Sequence, residues 1–186
     1  QIAVNMLIGN RSTYYHNYFM YRNPQLGVWL WLPWDMDNTF VVKKVTDEYQ
    51  RGNNADTQWG NMPSNPYFER AIACPEILRD IGLRLDTLAA TIYSPRHLYP
   101  IIDSLAAVLA PRIPADTFYR KGTLASWQAS IAGLKAYISQ RPAVLKDQFA
   151  HAPTSFRLIS PKTAFRGAAT LSWRASTDPD GDALVY

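Results

Sequence analysis

Asp35 and Asp37 follow directly on an aromatic, apolar run, Val28-Trp29-Leu30-Trp31-Leu32, that Pro33 stops. Carboxylates beside so much apolar surface need partners, because burying an unpaired charge is costly. A divalent cation is the partner that fits best, since hard cations take oxygen ligands. A turn carrying two solvated aspartates is the other reading, as aspartate is common in turns.

The elements before this pair bear on that choice. Residues 1–9 read as the end of a buried helix, with Gly9-Asn10 as its stop. Arg11 to His16 form a polar, aromatic-rich loop. Asn17-Tyr18-Phe19-Met20-Tyr21 reads as a strand, Asn23-Pro24-Gln25-Leu26-Gly27 as a turn, and Val28 to Leu32 as a buried partner strand. The order is helix, loop, Asn, hairpin, acidic loop. Phosphoryl transfer asks a protein for metals on the phosphates, positioned oxygens and a residue that orients the nucleophile. In protein kinases a catalytic Asp, an Asn five residues later and a further Asp beyond a hairpin fill those roles. Here Asn17 begins the strand, Ser12 stands five residues before it, and Asp35 lies one hairpin beyond.

Residues 41–64 form a long irregular segment with Asp47, Glu48 and Asp56, read either as a substrate loop or as a surface insertion. From Pro66 the period turns helical. Pro66 to Ile72 is one helix, capped by Ser64 or Asn65. Pro75 opens the next, with Ile77, Ile81, Leu85, Leu88 and Ile92 on one face. Ser94-Pro95 starts another, which Pro111 and Pro114 end. Leu124, Trp127, Ile131, Leu134 and Ile138 mark a further helix, stopped near Pro142, with a short last one over Val144 to Phe149. These faces carry no cluster of His or acids and read as packing. Residues 151–155 read as a linker. Residues 156–186 alternate as the start of a β-sandwich repeat. Asp178, Asp180 and Asp182 alternate as in Ca2+ loops, although plain turn chemistry is the preferred reading.

Composition narrows the function classes. The 186 residues are 47% hydrophobic and 18% charged, enough for a sizeable core. The net charge is +4 and the basic residues are scattered, adjacent only at Lys43-Lys44 and Arg120-Lys121, which argues against a nucleic-acid footprint. No apolar run nears the roughly 18 residues of a membrane span. The lone Cys74 excludes an internal disulfide and reads as a small core residue. The chain opens on Gln1 and closes on Tyr186 in a strand pattern. Both ends read as cut, so an export signal can lie upstream.

The sequence resembles the CotH kinase family, atypical secreted kinases named for a spore-coat protein. The resemblance rests on Gly9-Asn10, His16-Asn17-Tyr18 with Tyr21-Arg22, and Pro33-Trp34-Asp35-Met36-Asp37-Asn38-Thr39-Phe40. Pro75-Glu76, Leu83-Arg84-Leu85, Ser94-Pro95, Ile102-Asp103 and Gln140-Arg141-Pro142 extend it over the helical tail, to about residue 150. It implies an α+β fold with a kinase-like C-lobe over residues 1–150, while the strand pattern of residues 156–186 reads as a truncated fibronectin type III or immunoglobulin-like domain.

The same resemblance implies Mg2+ (or Mn2+) and ATP as cofactors, with Asn17, Asp35 and Asp37 as metal contacts. His16 and Tyr14 fall near substrate or nucleotide, or else hold the loop by hydrogen bonding and packing. The partners implied are a protein substrate or surface partner, outside the cell or on its surface. The family's catalytic Asp should fall at Ser12, and a serine hydroxyl is not ionised near neutral pH. General-base assistance is worth about 10² to 10⁴ in rate, or about 3–5 kcal/mol of barrier. Asp47, Glu48 or Asp56 are the acids available to substitute. The glycine-rich phosphate loop and the ATP-pairing Lys of a kinase belong to an N-terminal lobe, which is expected to lie outside these 186 residues. The chain alone is therefore expected to bind nucleotide weakly and transfer no phosphate. Alternatives are a pseudokinase serving as a binding module of a surface protein, and a D-x-D glycosyltransferase.

Overall fold

The computed structural model of the chain describes residues 1–10, 17–41, 45–46, 66–116, 122–151, 157–159 and 172–184. It combines helices with small antiparallel sheets, an α+β arrangement. Helix α1, Ile2–Ile8, is short and sits in the middle of the core. Ala3, Asn5, Met6 and Leu7 are all buried. A helix so short is marginal on its own and owes its stability to what packs around it. Three residues of α3 (Pro75–Ala90), namely Ile81, Leu85 and Leu88, join the same core. So do Ile138 and Leu145 of α5 (Leu124–His151). Phe68 of α2 (Pro66–Ala73) and Tyr93 complete it. Burying each such large apolar side chain is worth about 1.5–3 kcal/mol.

The end of α1 follows from Gly9. Its φ of 60° is left-handed, and the N–H groups of Gly9 and Asn10 return to the carbonyls of Met6 and Asn5. That is the Schellman closure that glycine favours. A Cβ on Gly9 would also lie 2.3 Å from the Tyr137 hydroxyl. The position therefore needs glycine for its backbone and for the close approach of α5.

A helix leaves its last four carbonyls without partners inside the helix. Here groups from separate parts of the chain reach all four. Asn5 O accepts from the Asn10 N–H at 3.0 Å, and Met6 O accepts from Arg141 Nε at 3.0 Å as well as from Gly9. Leu7 O accepts from the Tyr93 hydroxyl at 2.8 Å, and Ile8 O from the Phe40 N–H at 2.7 Å. The C-terminus of α1 is thus where the acidic loop, the end of α3 and the middle of α5 meet.

Strands β1, Tyr18–Arg22, and β2, Trp29–Pro33, form an antiparallel hairpin with Met20 opposite Trp31. Asn23 makes the turn, its Oδ1 accepting the N–H groups of Gln25 and Leu26, and Gly27 takes a left-handed φ of 67°. The expected buried strand is instead a surface ribbon. Met20 and Trp31 face a cavity of about 450 Å³ shared with Tyr67, Phe68 and Ile77. The opposite face, Phe19, Tyr21, Leu30 and Leu32, is exposed. The reason is that the sheet has two strands, so an aromatic run alone does not bring cover to both faces.

Two further expectations are corrected. Pro142 does not stop the last long helix: α5 runs unbroken from Leu124 to His151. A proline inside a helix costs about 3 kcal/mol. Tyr137, Ile138, Arg141 and Leu145 are buried on either side of it, and that packing holds the helix together. Cys74 is half-buried at the N-cap of α3, its thiol 3.2 Å from Glu76 Oε2, rather than a core residue. As expected, Ser94 caps α4 (Pro95–Leu109), accepting from the His97 N–H, and a 3-10 segment, Ala110–Ala115, follows.

Strands β3 (Arg157–Ile159) and β4 (Ser172–Arg174) pair antiparallel. Beyond them Asp178 folds its own turn: its Oδ1 accepts the N–H groups of Asp180 and Asp182, and Gly181 takes a φ of 78°.

Candidate functional site

The acidic loop, residues 34–40, is fastened at both ends. At its start, the Trp34 N–H donates to Asn17 O at 3.2 Å, and Asn17 Nδ2 donates to Asp35 O at 3.3 Å. Asn17 is 6% exposed, so the amide works from inside the protein. Asp35 takes a left-handed φ of 51°, a conformation that Asp tolerates better than most residues. The Asn17 bond secures it there. At the loop's far end Phe40 also has a positive φ, 54°, which is strained for a bulky side chain. Three contacts hold it: its N–H on Ile8 O, its ring stacked on Tyr93 at 6.4 Å, and its edge contact with Tyr137 at 5.9 Å.

The loop's interior is closed by two short-range devices. Thr39 Oγ1 donates to Met36 O, and buried Asn10 donates from Nδ2 to Met36 Sδ at 3.0 Å. Asn10 Nδ2 also lies 3.4 Å from Asn5 Oδ1, while Asn10 Oδ1 is buried without a hydrogen-bond partner among the described residues. Asp35 and Asp37 are both exposed. Trp34, also exposed, meets Phe19 edge-on at 5.8 Å and so joins the loop to the open face of the hairpin.

Of the residues singled out from sequence, the structure brings Asn17 and Asp35 into direct contact through the Asp35 main chain, with Asp37 in the same loop. Ser12, Tyr14 and His16 lie outside the described residues, as do Asp47, Glu48 and Asp56. Among the described residues no three His, Cys, Asp or Glu side chains are grouped to hold a metal. The oxygen donors at this site are an amide and two carboxylates. With Asn17 Nδ2 engaged, Oδ1 is the atom of that amide able to meet a cation. This set suits Mg2+, which is held by one or two carboxylates and takes its other ligands from phosphates and water.

A family model described as CotH kinase protein matches residues 2–145. The chain belongs to the CotH kinase family. The same comparisons found no match among curated proteins or solved structures. The CotH match spans α1, the hairpin, the acidic loop and the helices up to Leu145 of α5, while β3 and β4 lie beyond it. No helix among the described residues is long and apolar enough to cross a membrane.

Three residues that build this site were given no chemical role by the sequence reading. Asn10 and Phe40 lie within motifs of the CotH resemblance, and Arg141 within its helical tail. One signal in the chain did point to the last: Tyr137, Arg141 and Leu145 fall at i, i+4 and i+8, placing a charged residue on a core-facing stripe.

Proposed function

We propose that this CotH-family chain is a phosphotransfer domain in which Asn17 Oδ1 and Asp35 hold Mg2+ on a nucleotide, with Asp37 as a second acidic contact. The observation that carries this reading is the Asn17 to Asp35 hydrogen bond within the region matched by the family model. It joins the residue that opens the hairpin to the acid that follows it. Mg2+ bound to phosphate oxygens neutralises the charge that develops during transfer. The chain's own residues supply the positioning. Asn17 fixes the backbone at Asp35, Phe40 anchors the loop on α1, and Trp34 ties it to the hairpin. The open face of Phe19, Tyr21, Leu30 and Leu32 offers a nucleotide base a flat apolar surface beside the loop.

Ser12 stands where the family's catalytic Asp should fall. Transfer to a serine or threonine of a secreted or surface protein is therefore slow, and nucleotide binding outlasts turnover. That same substitution favours a second reading: a pseudokinase, retained as a nucleotide-binding module of a modular extracellular protein. The β3 and β4 pair would then open a fibronectin type III or immunoglobulin-like repeat of that protein.

The test is incubation with radiolabelled ATP and Mg2+ or Mn2+, with labelled nucleotide sugars in parallel. Metal-dependent ATP binding with little incorporation is the expected result. Robust phosphate incorporation would overturn the slow-transfer reading. Absence of metal-dependent nucleotide binding, or sugar transfer instead, would overturn the phosphotransfer assignment itself.

A further inference from the structure

Among the described residues Arg141 is the buried charged side chain, 2% exposed. Burying a guanidinium is costly and is tolerated where hydrogen bonds occupy it. Arg141 donates from Nε to Met6 O at 3.0 Å and from Nη1 to Val45 O at 2.8 Å. Those carbonyls belong to chain segments on either side of the site. Met6 lies in α1, ahead of Asn17, and Val45 lies just past the acidic loop. One rigid fork therefore sets the distance between the chain that enters the site and the chain that leaves it. Two turns along α5, Gln148 Nε2 donates to Thr46 O at 3.2 Å, the next carbonyl in the chain. Between these fastenings Phe40 rests on Tyr137, one turn before Arg141.

We propose that Arg141 is a positioning residue for the metal site, holding the acidic loop in register with the end of α1. It acts through the carbonyls of Met6 and Val45. The metal side of this inference rests on the function proposed above; the positioning side does not. If Arg141 served only the core, its loss would loosen every buried element alike. A positioning role predicts a local effect on residues 34–41, with α3 left as it is.

The experiment is hydrogen exchange on the chain carrying Arg141→Lys or Arg141→Met, with Lys135→Met as control. Lys135 is a cation of the same helix that pairs with Asp103 at the surface. In Arg141→Lys, amides of residues 34–41 are expected to exchange at least about tenfold faster while α3 keeps its protection. Metal-dependent ATP affinity should fall about 10- to 100-fold, as it does when residues supporting a ligand are lost. Lys135→Met should change neither. Unchanged exchange over 34–41 in both Arg141 variants, or equal acceleration in α3, would overturn the proposal. Asp35→Ala run alongside separates the two ideas. If it leaves metal binding intact, the metal reading fails, and the exchange data still decide Arg141.

Discussion

The side chain of Asn17 donates to the main-chain carbonyl of Asp35, 18 residues later, at 3.3 Å. One amide thereby ties the residue just before the hairpin to the acid that follows it. Asn17→Ala is expected to remove this bond and the proposed amide ligand together. The bond between Trp34 N–H and Asn17 O survives, because it uses the backbone. Stability should fall by about 1 kcal/mol. Metal-dependent ATP affinity should fall about tenfold or more. Calorimetric titration of ATP with Mg2+ checks this, and an unchanged affinity would remove Asn17 from the site.

Ser12 provides a gain-of-function test. A carboxylate at that position restores a group able to take the acceptor's proton. Ser12→Asp is expected to raise phosphoryl transfer, by up to about 10² to 10⁴ where proton removal limits the rate. The measurement is incorporation of labelled phosphate by the full-length protein. If Ser12→Asp does nothing while Asp35→Ala abolishes an existing activity, another residue is the base.

Gly9 and Tyr137 should be energetically coupled. Gly9→Ala meets a left-handed backbone, costing about 1–2 kcal/mol, and the Tyr137 hydroxyl 2.3 Å from the new Cβ. Overpacking of that kind adds about 1–3 kcal/mol. In Gly9→Ala with Tyr137→Phe the nearest remaining atom, Tyr137 Cζ, lies at 3.4 Å. The double variant should therefore be less destabilised than the sum of the single ones. Denaturant unfolding of the four proteins measures that coupling; strict additivity would mean the two residues do not meet.

His151 makes a pH-dependent contact at the end of α5. Its Nδ1 lies 2.8 Å from Asp147 O, and its Nε2 lies 3.9 Å from Asp180 Oδ1. The Asp147 carbonyl, then the charges of Asp180, Asp147 and Asp178, raise its pKa above the ordinary 6.5. The protonated form is the favoured one in the fold. Its contribution is fully present below about pH 6.5, and is lost as pH rises through the folded pKa. An NMR titration should place the His151 midpoint above 6.5, and Asp180→Asn should move it down.

What could be read along the chain was local. The stop at Gly9, the hairpin turn at Asn23 to Gly27 and the helix starts at Pro75 and Ser94 depend on residue types within a few positions. They appeared where the patterns placed them. What could not be read was long-range. Arg141 reaches a carbonyl 135 residues away and Tyr93 one 86 residues away, and no pattern along the chain names the partner. The same limit explains Pro142 and the hairpin. A proline rule sees the lost hydrogen bond but not the core on both sides of it. An aromatic run shows that a strand is apolar but not whether anything covers it. At the site, the order Asn17, hairpin, Asp35 was legible, whereas the anchoring of Phe40 on α1 was not.

The four carbonyls at the end of α1 also set an order of events during synthesis. The ribosome makes α1, the hairpin and the acidic loop first, yet Met6 and Val45 await a guanidinium that emerges about a hundred residues later, roughly 5–20 s at ordinary elongation rates. Until α5 arrives the nascent site has its residues but not its frame, and a slow, non-local closure completes it.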